Sequence, residues 1–233
     1  VVSHPIEVVG LDADDTLWHS EVYFERVTRR FHDLVGRYVD PEVDVDAELL
    51  RVERANLARY GYGFKAFTLS MLECAMEVTG GAISVEEVQQ LLRAGQEMLD
   101  HPVHLIDGVD EVVTTLAASG LRLVIVTKGD LHHQERKVLS SGLTDRIDRV
   151  EIVSEKDPAT YRRVVASMGV EPQAFCMVGN SVRSDVLPAL EIGARAVHVP
   201  YHITWAAEHA DHDGTVPELA SIRELPSWLA EQR

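Results

Sequence analysis

The stretch VVGLDADDTLWHS, residues 8–20, decides how the rest of the chain is read. Four apolar or small residues run straight into Asp12, Asp14 and Asp15, and a Thr and a Trp follow. Such a run is the pattern of a strand buried on both faces. A rigid buried strand is also a good mount for a group that must be placed to within a fraction of an ångström.

Working outward, residues 6–12 are predicted as the first strand. After Trp18 the period becomes helical: Phe24, Val27, Phe31, Leu34, Val35 and Tyr38 recur at intervals of three and four, until Pro41 ends the segment. Further helices are predicted over about 46–60, stopping at Gly61, and over about 64–79, stopping at Gly80-Gly81. A fourth starts at Ser84, with Glu87 placed for a capping box, and closes at His101-Pro102.

Beyond about residue 106 strands and helices alternate. Strands are predicted at 121–127, 148–153, 174–178 and 195–199. Helices are predicted at 109–119, 131–141, 158–168, 183–192 and about 216–230. The expected fold is α/β, a doubly wound parallel-sheet, Rossmann-like core. That core takes residues 1–18 and 106–233, with residues 19–105 as an all-helical insertion.

At 233 residues and 45% hydrophobic the chain can bury a sizeable core. No apolar run approaches the length that spans a bilayer, and no signal peptide is expected. Cys74 and Cys176 lack metal-type spacing and read as buried free thiols of a reducing cytoplasm. A formal net charge of −16 argues against nucleic acid as partner, since such binders concentrate Lys and Arg. It leaves room for a small phosphorylated ligand, because a cation offsets local charge.

In open α/β sheets ligands bind at the carboxyl ends of strands. Here those ends carry Asp12 and Asp14, then Thr127, then Lys156, then Gly179-Asn180-Ser181 and Asp185. These types suit phosphoryl transfer. A carboxylate can attack phosphorus, and a second can protonate the leaving oxygen and later activate water. Mg²⁺ takes carboxylates and carbonyls in octahedral array, while a hydroxyl and a Lys hold the remaining phosphate oxygens.

In this order the motifs resemble the haloacid dehalogenase superfamily. The D-x-D-x-T motif after an apolar run is VVGLDADDT here; the strand ending in Thr or Ser is VIVTKG; the Lys ahead of a helix is SEKDPATY; and G-D-S-x-x-x-D is GNSVRSD. The resemblance implies Asp12 as nucleophile and Mg²⁺ ligand, and Asp14 as general acid/base with its backbone carbonyl on the metal. It implies Thr127 and Lys156 as catalytic phosphate holders, with Lys128 beside them for substrate. Asp185 is implied as the direct metal carboxylate, and Asn180 as a metal-site residue through a water-mediated contact or a hydrogen bond to Lys156. The insertion resembles the family's cap, which closes over the site and selects substrate.

Three positions depart from the pattern: Asn180 where Asp is common, Asp15 where Gly or Asn is common, and Asp157 where Pro often follows the Lys. Family dehalogenases lack a carboxylate at the position of Asp14, because a halide leaves without a proton. The expectation is therefore Mg²⁺-dependent hydrolysis of a small phosphomonoester, such as a sugar phosphate, a nucleoside monophosphate or phosphoglycolate, through an aspartyl phosphate. The alternatives are a phosphomutase using the same intermediate and a non-catalytic phospho-ligand binder. A receiver-like signalling module fits poorly, since its phosphorylated Asp ends the third strand. Trp18 and His19 sit at the core-to-insertion junction, where Trp18 reads as hinge packing. His198, His202, His209 and His212 read as a solvated loop rather than a Zn²⁺ site, with Tyr201 or His202 placed to line a substrate entrance.

Overall fold

The structure, a computed structural model, describes residues 5–210 and 216–232. The chain divides into two compact units, with the breaks between His19 and Ser20 and between Pro102 and Val103. The second break falls ahead of residue 106 because residues 103–106 pair back on the first loop: the His19 N–H donates to the His104 carbonyl at 3.0 Å and the Ile106 N–H to the Leu17 carbonyl at 2.9 Å.

The α/β unit is a five-stranded parallel sheet. Its strands are β1 (Val8–Leu11), β2 (Arg122–Lys128), β3 (Arg149–Val153), β4 (Phe175–Gly179) and β5 (Arg195–His198), in the order β3-β2-β1-β4-β5. Residues of β1, β2 and β4 are almost wholly buried, which explains their near-continuous apolar runs. One core cluster contains Val9, Leu11, Leu123, Ile125 and Val178; another contains Val8, Val124, Val126 and Met177. Successive residues of one strand therefore feed two different cores, one on each face of the sheet.

The topology switches direction at β1. β2 lies on one side and β4 on the other, with Leu11 in register with both Ile125 and Val178. The carboxyl ends of β1, β2 and β4 thus come side by side, the arrangement that opens a ligand crevice in such sheets.

The helical unit holds α1 (Glu21–Val35), α2 (Val45–Tyr60), α3 (Phe64–Val78) and α4 (Val85–Leu99). Val27, Phe31, Leu34 and Val35 form the buried stripe of α1, packed in one cluster with Leu49, Val52, Phe67, Met71, Leu91 and Met98. The capping box at Ser84 and Glu87 forms on both sides.

The sheet is flanked by α5 (Val109–Ala118), α6 (Leu131–Ser140), α7 (Pro158–Ser167), α8 (Leu187–Glu191) and α9 (Leu225–Glu231). Two predicted helices come out differently. The span 183–192 is a π-turn over Val182–Val186 followed by the short α8. Pro188 has no N–H to give to the preceding turn, so that turn cannot close as a regular α-helix. The span 216–230 is helical only from Ile222. Before it the chain runs beside β5, with the His198 N–H donating to the Pro217 carbonyl at 2.8 Å and the Leu219 N–H to the His198 carbonyl at 2.9 Å. Among the described residues no helix is long and apolar enough to cross a membrane, and both cysteines are buried and free.

Candidate active site

Asp12 is the first residue after β1, and its N–H still donates to the Val178 carbonyl of β4 at 2.9 Å. Its carboxylate is buried. One oxygen takes a hydrogen bond from Lys156 Nζ, and the other accepts from Thr16 Oγ1 at 2.9 Å. Lys156 Nζ also donates to Asp185 Oδ1 at 2.6 Å. A single buried ammonium therefore bridges two buried carboxylates. Burial pushes the Asp12 carboxyl up to about 7; the Lys156 charge opposes this, and the charges of Asp185 and Asp14 add to it. Lys156 is held above the ordinary lysine range: burial works against its charge, but Asp12 and Asp185 outweigh it.

Asp185 reaches this point from the π-turn. Its second oxygen accepts the Ser181 N–H at 3.0 Å. Gly179 leaves the space it uses, since a Cβ there would lie 2.1 Å from Asp185 Oδ2. With its amide nitrogen facing the carboxylate, Asn180 donates to Asp12 Oδ2 at 3.1 Å and to the Asp14 carbonyl at 3.3 Å. The Asn180 N–H in turn donates to Thr16 Oγ1 at 3.0 Å. Thr16, the Thr of the first motif, thus ties the first motif to the fourth.

Asp14 sits beyond a tight turn in which the Leu17 N–H returns to the Ala13 carbonyl at 2.8 Å and the Asp15 N–H to the Trp18 carbonyl at 2.7 Å. Asp15 adopts a φ of 64° there, the left-handed region that Gly, Asn and Asp enter most readily. The Asp14 side chain is held by a set of partners separate from those of Asp12. It accepts from Trp18 Nε1 at 2.7 Å, from Gln134 Nε2 at 3.1 Å and from Lys137 Nζ at 2.7 Å. Burial raises its pKa, but Lys137 and these donors outweigh burial and hold it below the usual carboxylate value. Trp18 is buried, and its indole N–H belongs to the site.

Thr127 is buried on β2, and its Oγ1 accepts from Gln134 Nε2 at 2.6 Å. The Lys128 Nζ donates to Glu208 at 2.7 Å and to Ser184 Oγ at 2.9 Å. Glu208 also accepts from Ser181 Oγ at 2.6 Å. Burial raises the Glu208 pKa, but Lys128 and the serine hydroxyls bring it down to about 2. Asp157, next to the motif lysine, caps α7 by accepting the Thr160 N–H at 2.7 Å, which supplies a structural reason for a residue other than Pro there.

Sequence reading missed Gln134, Lys137 and Glu208. The first two fall three apart on α6 and are polar, so nothing in the sequence sets them apart; their burial does. Glu208 is brought in by a loop, and no periodicity marks it.

Among the described residues no three His, Cys, Asp or Glu side chains are grouped to hold a metal. His198 Nε2 donates to the Asn180 carbonyl at 3.0 Å and His209 Nε2 to the Thr204 carbonyl at 3.3 Å; His212 lies outside the described residues. Tyr201 instead meets His19, with 2.7 Å between its hydroxyl and Nδ1. The Asp12 pocket has a different donor set: two carboxylates, the Asp14 carbonyl beside Asn180, and one ammonium already drawn between the carboxylates. Hard oxygen donors of this kind fit Mg²⁺.

The model of the haloacid dehalogenase-like hydrolase family matches residues 6–193. The chain belongs to that family. The solved structure of a haloacid dehalogenase-like family hydrolase from Xanthomonas campestris is 39% identical, with a TM-score of 0.87, over 100% of this chain and 94% of that one. A glyceraldehyde 3-phosphate phosphatase of Pyrococcus furiosus is 25% identical over 96% of this chain and 92% of its own length. A phosphoserine phosphatase of Thermus thermophilus is 27% identical over 64% of this chain, which spans 60% of that relative. A 2-haloacid dehalogenase of Pseudomonas syringae shares the fold at 20% identity and a TM-score of 0.63.

Proposed function

We propose that this hydrolase cleaves small phosphomonoesters with Mg²⁺, through a phosphoryl group carried on Asp12. The observation that carries the reading is the pair of carboxylates on one turn, Asp12 bridged to Asp185 through Lys156 and Asp14 held two residues on by separate partners. A halide needs no proton to leave, whereas an alkoxide does. A second carboxylate beside the nucleophile therefore favours an ester substrate, and relatives named as phosphatases support it.

Asp12, Asp185 and the Asp14 carbonyl, with Asn180 beside them, would hold Mg²⁺, which supplies charge neutralisation on the phosphate oxygens. Lys156 and the Thr127 hydroxyl bind phosphate oxygens. An Asp12 oxygen attacks phosphorus as the P–O bond to the alcohol breaks; Asp14, ionised beside Lys137 in this structure, takes up a proton from solvent before the step and delivers it to the departing oxygen. Asp14 then takes a proton from water, whose oxygen attacks the aspartyl phosphate and frees Asp12. The helical insertion serves as the cap, a role that rests on its place between the first and second motifs.

The test is phosphate release from an aryl phosphate and a panel of small phosphomonoesters, with Mg²⁺ or EDTA. Release by the native chain, abolished by EDTA and lowered at least about a thousandfold in Asp12→Asn, is expected. Full turnover by Asp12→Asn would refute the reading.

A further inference from the structure

Two polar residues on α6 are buried where a helix flanking a sheet ordinarily presents apolar side chains. Gln134 is 2% exposed and Lys137 8%. The helix starts immediately after β2, because Asp130 caps it by accepting the His133 N–H at 2.9 Å. Its first turns therefore face the strand end that carries Thr127.

The Gln134 amide nitrogen reaches three acceptors: Thr127 Oγ1 at 2.6 Å, the Lys128 carbonyl at 3.0 Å and Asp14 Oδ2 at 3.1 Å. It comes this close because residue 129 is Gly, at a φ of 141°, where a Cβ would stand 3.1 Å from Gln134 Cγ. Since Thr127 Oγ1 accepts from Gln134, its own proton is left to donate, and its contact with the Lys128 carbonyl is a long 3.5 Å. One turn further along α6, Lys137 Nζ contacts both Asp14 oxygens, at 2.5 and 2.7 Å. Trp18 Nε1 holds the Oδ1 edge at 2.7 Å. Rotating the Asp14 carboxyl group would break several of these bonds together.

We propose that Gln134 and Lys137 are positioning residues that lock Asp14 and Thr127 in one frame, aligning proton delivery to the leaving group with the phosphate held on Thr127. Neither need touch the substrate. The proposal rests on the function set out above, because it assigns the two residues to a step of that reaction.

Leaving-group dependence tests it. kcat/KM is measured with Mg²⁺ for a graded series from dinitrophenyl phosphate, whose leaving group departs unprotonated, to an alkyl phosphate, whose leaving group needs a proton. For Lys137→Met the expected loss is threefold or less, roughly, on the dinitrophenyl ester and grows to about a hundredfold on the alkyl ester. Lys137→Arg should recover part of the alkyl-ester activity. Gln134→Met leaves no charge unpaired and keeps the volume, so it carries the test if Lys137→Met does not fold; its loss should follow the same trend, reaching about tenfold. Equal loss on every ester, or no loss on any, from an active native enzyme would overturn the positioning role alone. A native enzyme that releases phosphate from no ester would overturn the functional reading and this inference with it.

Discussion

Asp12 and Asp14 lie two residues apart, each carboxylate meets a lysine, and the two environments act in opposite directions. In the Asp12 pocket one ammonium is shared between two buried carboxylates, so burial prevails and the acid is pushed up to about 7. Around Asp14, Lys137 serves a single carboxylate, with an indole and an amide added, and the acid is held down despite burial. The turn at residues 13–18 separates the two environments. What differs is the ratio of cations and donors to carboxylates, not the residue type. A pocket short of positive charge suits a site that takes a cation and a phosphate. A pocket with matched charge suits a side chain that must stay in one place.

The comparison can be broken most severely at Lys156. Lys156→Met leaves two buried carboxylates facing each other, and the apo protein should lose about 3–5 kcal/mol of stability, read by urea denaturation without divalent ions. Unchanged stability would mean that the two carboxylates do not depend on that ammonium. Gly179→Ala presses a methyl group into the Asp185 carboxylate and should cost about 1–3 kcal/mol while weakening Mg²⁺ binding by calorimetry.

A third pair sharpens the contrast through pH. Lys128 meets Glu208, which two serines also satisfy, and the acid sits at about 2 against an ordinary 4.5. Its folded value is the lower one, so its contribution is present in full above 4.5 and is lost as pH falls toward about 2. Glu208→Gln should therefore cost about 1–3 kcal/mol at neutral pH, with the gap to the native chain closing in acid melts. A gap that stays constant with pH would remove the charge from the explanation. The smallest effect belongs to the turn itself. Asp15→Val forces a β-branched residue to a φ of 64° and should cost about 1–2 kcal/mol, whereas Asp15→Asn should change stability by less than about 0.5 kcal/mol in thermal melts.

The sequence made the first environment legible and left the second obscure, for physical reasons. Asp12 follows the buried β1 and Asp185 the buried β4, and such strand ends can be located from apolar runs; Lys156 follows β3, an edge strand whose first residues are exposed. The parallel sheet and its helical insertion were readable from the same alternation. The partners of Asp14 come instead from the side of a helix, where Gln134 and Lys137 look like solvent-facing residues until burial is known. Lys128 follows Thr127 directly, and alternation along β2 sends it to the opposite face, toward Glu208. The irregular start of α8 at Pro188 follows from a missing N–H donor, a local cue that apolar spacing alone does not weigh, whereas the stretch before Ile222 pairs beside β5 instead.

The most direct measurement is chemical trapping of the phosphoryl group during turnover. The native enzyme, given Mg²⁺ and its best ester, is quenched into borohydride, and its peptides are mapped by mass spectrometry. Reduction of an acyl phosphate would convert Asp12, and only Asp12, to homoserine, with nothing formed when substrate or Mg²⁺ is left out. Turnover with no modified carboxylate, or with the modification on Asp14 or Asp185, would contradict the assignment of Asp12 as nucleophile.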